Sequence, residues 1–384
     1  MHIPDQAELL AGIRAWVEIE TPTGHAAGLN RLMDLAAAEY AALDAQITRI
    51  PGRDGQGDHL SIALPWAGSD PENTPGLLVL SHLDTVHGVG ALARMPFRIE
   101  DDCAYGPGIC DMKGGAYIAL RACASLVQAG RQTPLPVRIL LTSDEETGSE
   151  TSRALIEAEG ARAAYVLVTE PARSGGKIVT GRRGIGRYAL TAHGRAAHSG
   201  TNHAQGRSAV REMARQVLAI EEMTDYDRGL TLNVGQLRGG TTDNTVPEHC
   251  VAGIDLRVES MAVFEEADAR LRALSPVDPD VSLHLEGGLN RPPYRKTPKI
   301  AALFAHAQTL AAEDGWVLED LHTGGGSDGS FLAAKIPTLD GLGVDGAKAH
   351  TEEEHLYVSS LVPRMTLLRR LMETLGRQSD LKRF

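Results

Sequence analysis

Apolar residues recur at helical spacing near the start of the chain, where Leu9, Leu10, Ile13, Trp16 and Val17 mark one face of a helix over 6–20 and TPTG ends the pattern. The alanine and leucine content of residues 26–42 predicts a second helix. LSIAL (60–64) and LLVLSH (77–82) then read as strands, and KGGAYIALRACASLVQAG (113–130) as a helix closing at Gly130. PVRILLTS and AAYVLVTE are short apolar runs bounded by turn residues, as buried strands are. Strands alternating with helices predict an α/β fold with a mostly parallel sheet.

The rhythm changes at GRRGIGRYALTAHG. A strand there is followed by a helix over about 206–223, strands at LTLNVGQLRGG and CVAGIDLRVE, a helix over 261–273 and a strand at VSLHLEG. That β-α-β-β-α-β order is ferredoxin-like and predicts an inserted α+β domain. GGLNRPPYRKTP would return the chain to the first domain. A helix over 297–313, the GGGSDGS loop, a strand at KIPTLDGLG and a final helix from about 357 complete it. The expected division is 1–180, 181–292 and 293–384, the outer segments forming one domain.

Size agrees, since 384 residues exceed one typical domain. Apolar residues make up 42% and aromatics only 4%, with 41 glycines, so the core is expected to pack small side chains closely. A net charge of −12 argues against a nucleic-acid partner, which needs clustered Lys and Arg, but leaves room for a small anionic substrate. No signal peptide is visible and no run approaches the ~20 apolar residues of a spanning helix. Cys103, Cys110, Cys123 and Cys250 form no CxxC. The expectation is a cytoplasmic protein with no membrane partner.

Chemistry-bearing side chains cluster at expected strand ends. LLVLSHLDTV carries His82 and Asp84, YGPGICDMKGG carries Asp111, RILLTSDEETGS carries Glu145 and Glu146, YVLVTEP carries Glu170, and GAKAHTEEEH carries His350 and His355. Groups leaving several strand ends converge on one rim of an α/β sheet. Imidazoles and carboxylates without thiolate suit zinc or a similar divalent ion. Two such ions need a bridging carboxylate, and Asp111, in a tight glycine-rich turn, is suited to bridge. His82 with Glu170, and Glu146 with His350, would complete the two sites. One of the paired glutamates can bind metal while its neighbour moves protons. Asp84, two residues after His82, can face the far nitrogen of its ring. Taken singly, these acids also suit helix caps and first turns. Spacing alone does not separate His350 from His355, and His25 and His87 are read as surface or core residues. Cys110 is read as packing.

Together SHLDTV, GPGICDMKGG, TSDEETGS, the TEP turn, HGRAAHSG, GGGSD and the late AH resemble the co-catalytic zinc exopeptidases and deacylases of clan MH, and most the glutamate carboxypeptidase branch. The resemblance implies His82, Asp111, Glu146, Glu170 and His350 as metal ligands with Asp111 bridging two divalent ions, zinc foremost and cobalt or manganese as substitutes. It implies Glu145 as general base, Asp84 as partner of His82, and a cis peptide after Asp111. It implies that the inserted domain is a lid that dimerises, with His198 stabilising an oxyanion in the partner subunit. Asn244, Arg257, Arg291 and the Gly326 backbone match substrate contacts, the arginines gripping a carboxylate. Lys177 falls near a lysine that contacts an acidic side chain. The implied activity is hydrolysis of the amide bond of a C-terminal amino acid, Glu or Asp, in a peptide or N-acyl conjugate. Deacylation of N-acetyl or N-succinyl amino acids is the alternative.

Overall fold

The computed structural model describes residues 3–377, and the chain forms two compact units. The first comprises residues up to Gly181, Arg295–His322 and Ser327 onward, and the second Arg182–Tyr294 with Thr323–Gly326.

A six-stranded sheet centres the first unit, in the order Gln46–Ile50, His59–Ala63, Val137–Thr142, Gly76–His82, Ala163–Val168, Thr338–Leu339. The four strands from Val137–Thr142 to Thr338–Leu339 run parallel, His59–Ala63 runs against them, and Gln46–Ile50 pairs antiparallel with His59–Ala63. Gly76–His82 and Val137–Thr142 are buried along their whole length, which is why they read as continuous rather than alternating apolar runs. Helices Gln6–Val17, Ala26–Ala41, Gly114–Gln128, Arg153–Gly160, Pro298–Glu313 and Leu361–Thr374 belong to this unit. Asp5 opens the first with a capping box to Glu8, and Thr297 caps Pro298–Glu313, where proline occupies the first turn. The expected strand at KIPTLDGLG shrinks to Thr338–Leu339. After it the chain turns at Gly341, in the left-handed region, to return beside Glu170.

The second unit is an antiparallel sheet in the order Thr231–Gly239, His249–Val258, Gly184–His193, Ser282–Arg291. Helices Ala209–Glu221 and Met261–Arg272 cover one face, completing the ferredoxin-like order. Strict alternation of burial along His249–Val258 puts Cys250, Ala252, Ile254, Leu256 and Val258 against Met213, Ile220, Phe264 and Leu271. The last strand runs on through Gly287 and Gly288 to Arg291, a stretch the sequence predicts as connector. Its partner Gly184–His193 keeps pairing past the glycines, with a register shift between Leu289 and Arg291. Gly287 adopts φ +105°, and a Cβ there would run into the Arg187 carbonyl.

Candidate metal centre

Three adjacent parallel strands deliver the first chemistry-bearing groups. His82 ends one strand, Glu145 and Glu146 occupy a single 3₁₀ turn three residues beyond a second, and Glu170 lies two residues beyond a third. Asp111 sits in the wide turn Ile109–Lys113, and its peptide bond to Met112 is cis. His350 comes from a late loop in which it adopts φ +67°, a region that non-glycine residues occupy mostly where surroundings dictate it.

These groups meet. Ligand atoms of His82, Asp111 and Glu146 lie within 4.8 Å of one another, and so do those of His82, Glu145 and Glu170. His82 Nε2 is 3.3 Å from Asp111 Oδ1 and 3.7 Å from Glu170 Oε1. His350 Nε2 is 3.4 Å from Asp111 Oδ2 and 3.3 Å from Glu146 Oε2. Asp111 therefore faces one imidazole with each oxygen. His355, by contrast, packs on Tyr105 with its Nδ1 at 2.8 Å from the Glu353 carbonyl.

The tautomer of His82 follows from its contacts. Its Nδ1 lies 3.0 Å from the Asp84 backbone carbonyl, which only accepts, so Nδ1 carries the proton. A neutral ring then presents a lone pair at Nε2, which is buried, has no hydrogen-bond partner and faces carboxylate oxygens. Glu146 Oε1 is likewise buried without a partner. Lone pair facing lone pairs is repulsive unless a cation lies between them, and the donor set of imidazole and carboxylate fits a divalent ion. Protons fill that need otherwise. Burial would push His82 down, yet the Asp111 and Asp84 carboxylates hold it well above the usual imidazole value. Asp111 and Glu146 push His350 up to about 10. Burial and the neighbouring Asp111 lift Glu146 to about 7, whereas His350 and His82 outweigh burial at Asp111 and hold it far below the carboxylate range.

Asp84 does more than face His82. Its Oδ1 stands 3.4 Å from His82 Nδ1, while its shorter bonds go to the Glu145 N–H at 3.1 Å, the Glu146 N–H at 3.1 Å and the Thr23 hydroxyl at 2.8 Å. The carboxylate thus fixes the turn carrying both glutamates. Two further buried acids brace that turn. Asp144 Oδ2 accepts from Thr151 N and Oγ1, both at 2.7 Å, and Asp328 accepts from Thr142 and Ser149.

Sequence reasoning misses Glu354. Its buried carboxylate accepts from the N–H groups of Cys110 at 2.8 Å, Asp111 at 2.9 Å and Gly108 at 3.1 Å, and pairs with His87 at 2.6 Å. It clamps the Asp111 turn from 243 residues away. The one signal in the chain is its position four residues after His350 within TEEEH. His87, read as surface or core, proves to be the partner of this clamp.

The remaining candidates sit in or beside the second unit. His198 pairs in register with Thr245, and Ser199 N donates to the Asn244 carbonyl at 2.9 Å, so His198 and Asn244 are neighbours. His198 Nδ1 accepts from the N–H of Gly200 at 3.0 Å and of Thr201 at 3.2 Å, leaving Nε2–H of the exposed ring as an outward donor. Arg257 is held by Asp255 through two bonds of 2.7 and 2.9 Å and reaches the Gly324 carbonyl at 3.2 Å. Arg291 is buried at its strand end. Gly326 passes so close that a Cβ would run into Ile185 and Arg291, and its carbonyl accepts from Arg182 at 3.0 Å. Lys177, in the first unit, pairs with Glu319 at 3.2 Å.

Known proteins are similar to this chain in sequence and in fold. Residues 78–374 match peptidase family M20/M25/M40. The chain is 30% identical over 379 residues to carboxypeptidase G2 of Pseudomonas sp. (strain RS-16), covering 97% of this chain and 90% of that protein. It is 29% identical to the succinyl-diaminopimelate desuccinylase of Halorhodospira halophila (strain DSM 244 / SL1), over 77% of this chain and 82% of the other. In fold it is similar to a crystal structure of aminopeptidase PepT from Bacillus cereus, with TM-score 0.75 and 22% identity over 97% of this chain and 99% of the other. An M20 family metallo-carboxypeptidase from Sulfolobus solfataricus gives 0.72 and 16% over 95% and 98%. With the imidazole and carboxylate cluster at its strand ends and a family match over most of its length, the chain belongs to peptidase family M20/M25/M40, a family of metal-dependent hydrolases.

Proposed function

We propose that the protein releases a C-terminal amino acid, acidic in type, by hydrolysing its amide bond in a peptide or N-acyl conjugate. The observation that carries this reading is the His82 Nε2 lone pair, buried among carboxylates with Glu145 beside it. In this reading two divalent ions, zinc foremost and cobalt or manganese as substitutes, would be held by His82 and Glu170 on one side and Glu146 and His350 on the other, with Asp111 shared between them. When bound, the ions supply a Lewis-acid centre that polarises the scissile carbonyl and acidifies water. Glu145 takes a proton from the attacking water and hands it to the leaving amine. Asp84 keeps both glutamate N–H groups in place during that exchange. His198 Nε2–H, supplied by a partner subunit, donates to the tetrahedral oxyanion. Asn244, Arg257, Arg291 and the Gly326 backbone hold the substrate, the arginines at its α-carboxylate. The bidentate pair with Asp255 means that Arg257 must share or exchange that partner to do so.

A homodimer through the second unit goes with this reading. Support comes from the exposed edge strand Thr231–Gly239 and from Leu218 and Leu237, which are 66% and 52% exposed. A cytoplasmic setting is supported by four unpaired cysteines. Among the described residues no helix is long and apolar enough to cross a membrane.

The alternative reading, an N-acetyl or N-succinyl amino acid deacylase, is favoured by the similarity to the Halorhodospira desuccinylase. A substrate panel separates the two. Stripped enzyme is assayed with and without zinc on dipeptides and N-acyl amino acids ending in Glu, Asp, Arg, ornithine or an apolar residue. Zinc-dependent release confined to Glu and Asp is the expected result. Release chiefly from basic substrates would keep the chemistry and overturn the acidic specificity.

A further inference from the structure

Arg173–Lys177, beginning three residues after Glu170, form a tight hairpin. Arg173 and Lys177 exchange backbone hydrogen bonds of 2.8 and 2.9 Å across Ser174, Gly175 and Gly176, all three in the left-handed region. Arg364, fully buried, anchors the hairpin by donating to the Gly176 carbonyl at 3.0 Å, and ties it to the Gly341 carbonyl at 2.6 Å. A hairpin pinned in this way presents its side chains without having to order them on binding.

The two cations of the hairpin have different partners. Lys177 pairs at 3.2 Å with Glu319, itself 61% exposed, an arrangement worth little and broken cheaply. Arg173 reaches toward the metal centre. Its Nη2 is 3.8 Å from Glu170 Oε2, too long for a hydrogen bond, and its Nε is buried with no hydrogen-bond partner. Its charge also helps to hold Asp111 low. Once Glu170 and Asp111 are committed to divalent ions, a guanidinium beside them has lost its counter-charge. The buried Nε has no acceptor there, while the side chain as a whole is 33% exposed, so an incoming anion can reach the guanidinium and supply one.

Resting on the amidohydrolase reading of the site, we propose that Arg173, rather than Lys177, is the specificity-determining residue that takes a second, non-reacting carboxylate of the substrate. The planar fork suits bidentate capture of a carboxylate. That carboxylate has two chemical sources, the side chain of an acidic amino acid being released or the distal end of a succinyl-type acyl group.

The test compares wild type with Arg173→Ala, Arg173→Lys and Lys177→Ala, all loaded with zinc and shown to hold equal metal. Three substrates are matched: a neutral acyl group on glutamate, the same acyl group on glutamine, and a succinyl group on glutamine. Arg173→Ala is expected to reduce the preference in kcat/KM for one carboxylate-bearing substrate over its neutral match roughly tenfold to hundredfold, mainly through KM. Arg173→Lys restores part of it, and Lys177→Ala leaves the preference in place. The substrate affected identifies the source of the carboxylate. An equal fall of kcat on all three substrates, or loss of the preference in Lys177→Ala alone, overturns the proposal. If the wild type hydrolyses none of them, the amidohydrolase reading fails by itself. Calorimetric binding of glutarate to the zinc-loaded proteins then decides the role of Arg173: weaker binding in Arg173→Ala supports it, and equal binding overturns it.

Discussion

Glu145 and Glu146 are adjacent in sequence and, in the proposed reading, divide the work between them. Glu146 faces His350 at 3.3 Å, whereas Glu145 lies among His82 and Glu170. Glu145→Gln is therefore expected to retain its metal and lose roughly 10²–10⁴-fold in kcat, read by metal analysis beside turnover. Undiminished turnover would remove Glu145 as base. Glu354→Gln acts one layer out. It removes the charge that three N–H groups of the Asp111 turn share, and zinc affinity in a competitive-chelator titration should fall roughly 10–100-fold. Affinity equal to wild type would mean that the turn holds itself. The side chains proposed to bind metal were legible in the chain because each stands inside a recognisable motif, and His82, Glu146 and Glu170 stand at or just past strand ends. Glu354 was not, because its role exists only through contacts 243 residues distant. The bonds from Asp84 to the glutamate turn escaped for the same reason, since a period-two argument sees only His82.

Regular elements were legible where burial imposes a clear period. The expected helix at 26–42 forms as Ala26–Ala41, and the helix at 261–273 as Met261–Arg272. Elements whose existence depends on a neighbour were not. Ser282–Arg291 extends through glycines that sequence rules treat as breakers, because Gly184–His193 offers a continuous edge to pair with. Gly287→Ala tests that account. With φ at +105° and the Arg187 carbonyl in the way, the substitution should destabilise the protein by about 1–3 kcal/mol, seen as a lower thermal midpoint. An unchanged midpoint would show that the strand can re-register without strain.

Across the whole molecule, ionisation couples to stability. His59 is buried, and burial lowers its imidazole pKa despite the nearby Asp144 and Asp84. An imidazole titrates near about 6.5 in an unfolded chain, so below that pH the unfolded state binds a proton that the fold resists. Its stabilising contribution is present above the unfolded pKa and declines as pH falls from about 6.5 toward the lower folded value. Chemical denaturation of zinc-loaded protein between pH 7.5 and pH 5 should show a shallower loss of stability in His59→Gln than in wild type, and identical slopes would rule His59 out as a contributor. The acids of the rim couple in another way. Asp84, Asp111, Glu145, Glu146 and Glu170 gather around His82, where the site needs positive charge to hold them together.

The account turns on that charge being metallic and catalytic, and a zinc titration of stripped enzyme tests it most directly. Amino acid release and thermal midpoint are followed together as zinc is added. Release should be absent without metal and rise to a plateau at two equivalents, with the midpoint rising over the same range. Full turnover in the stripped protein, or zinc binding that changes neither quantity, would contradict the account.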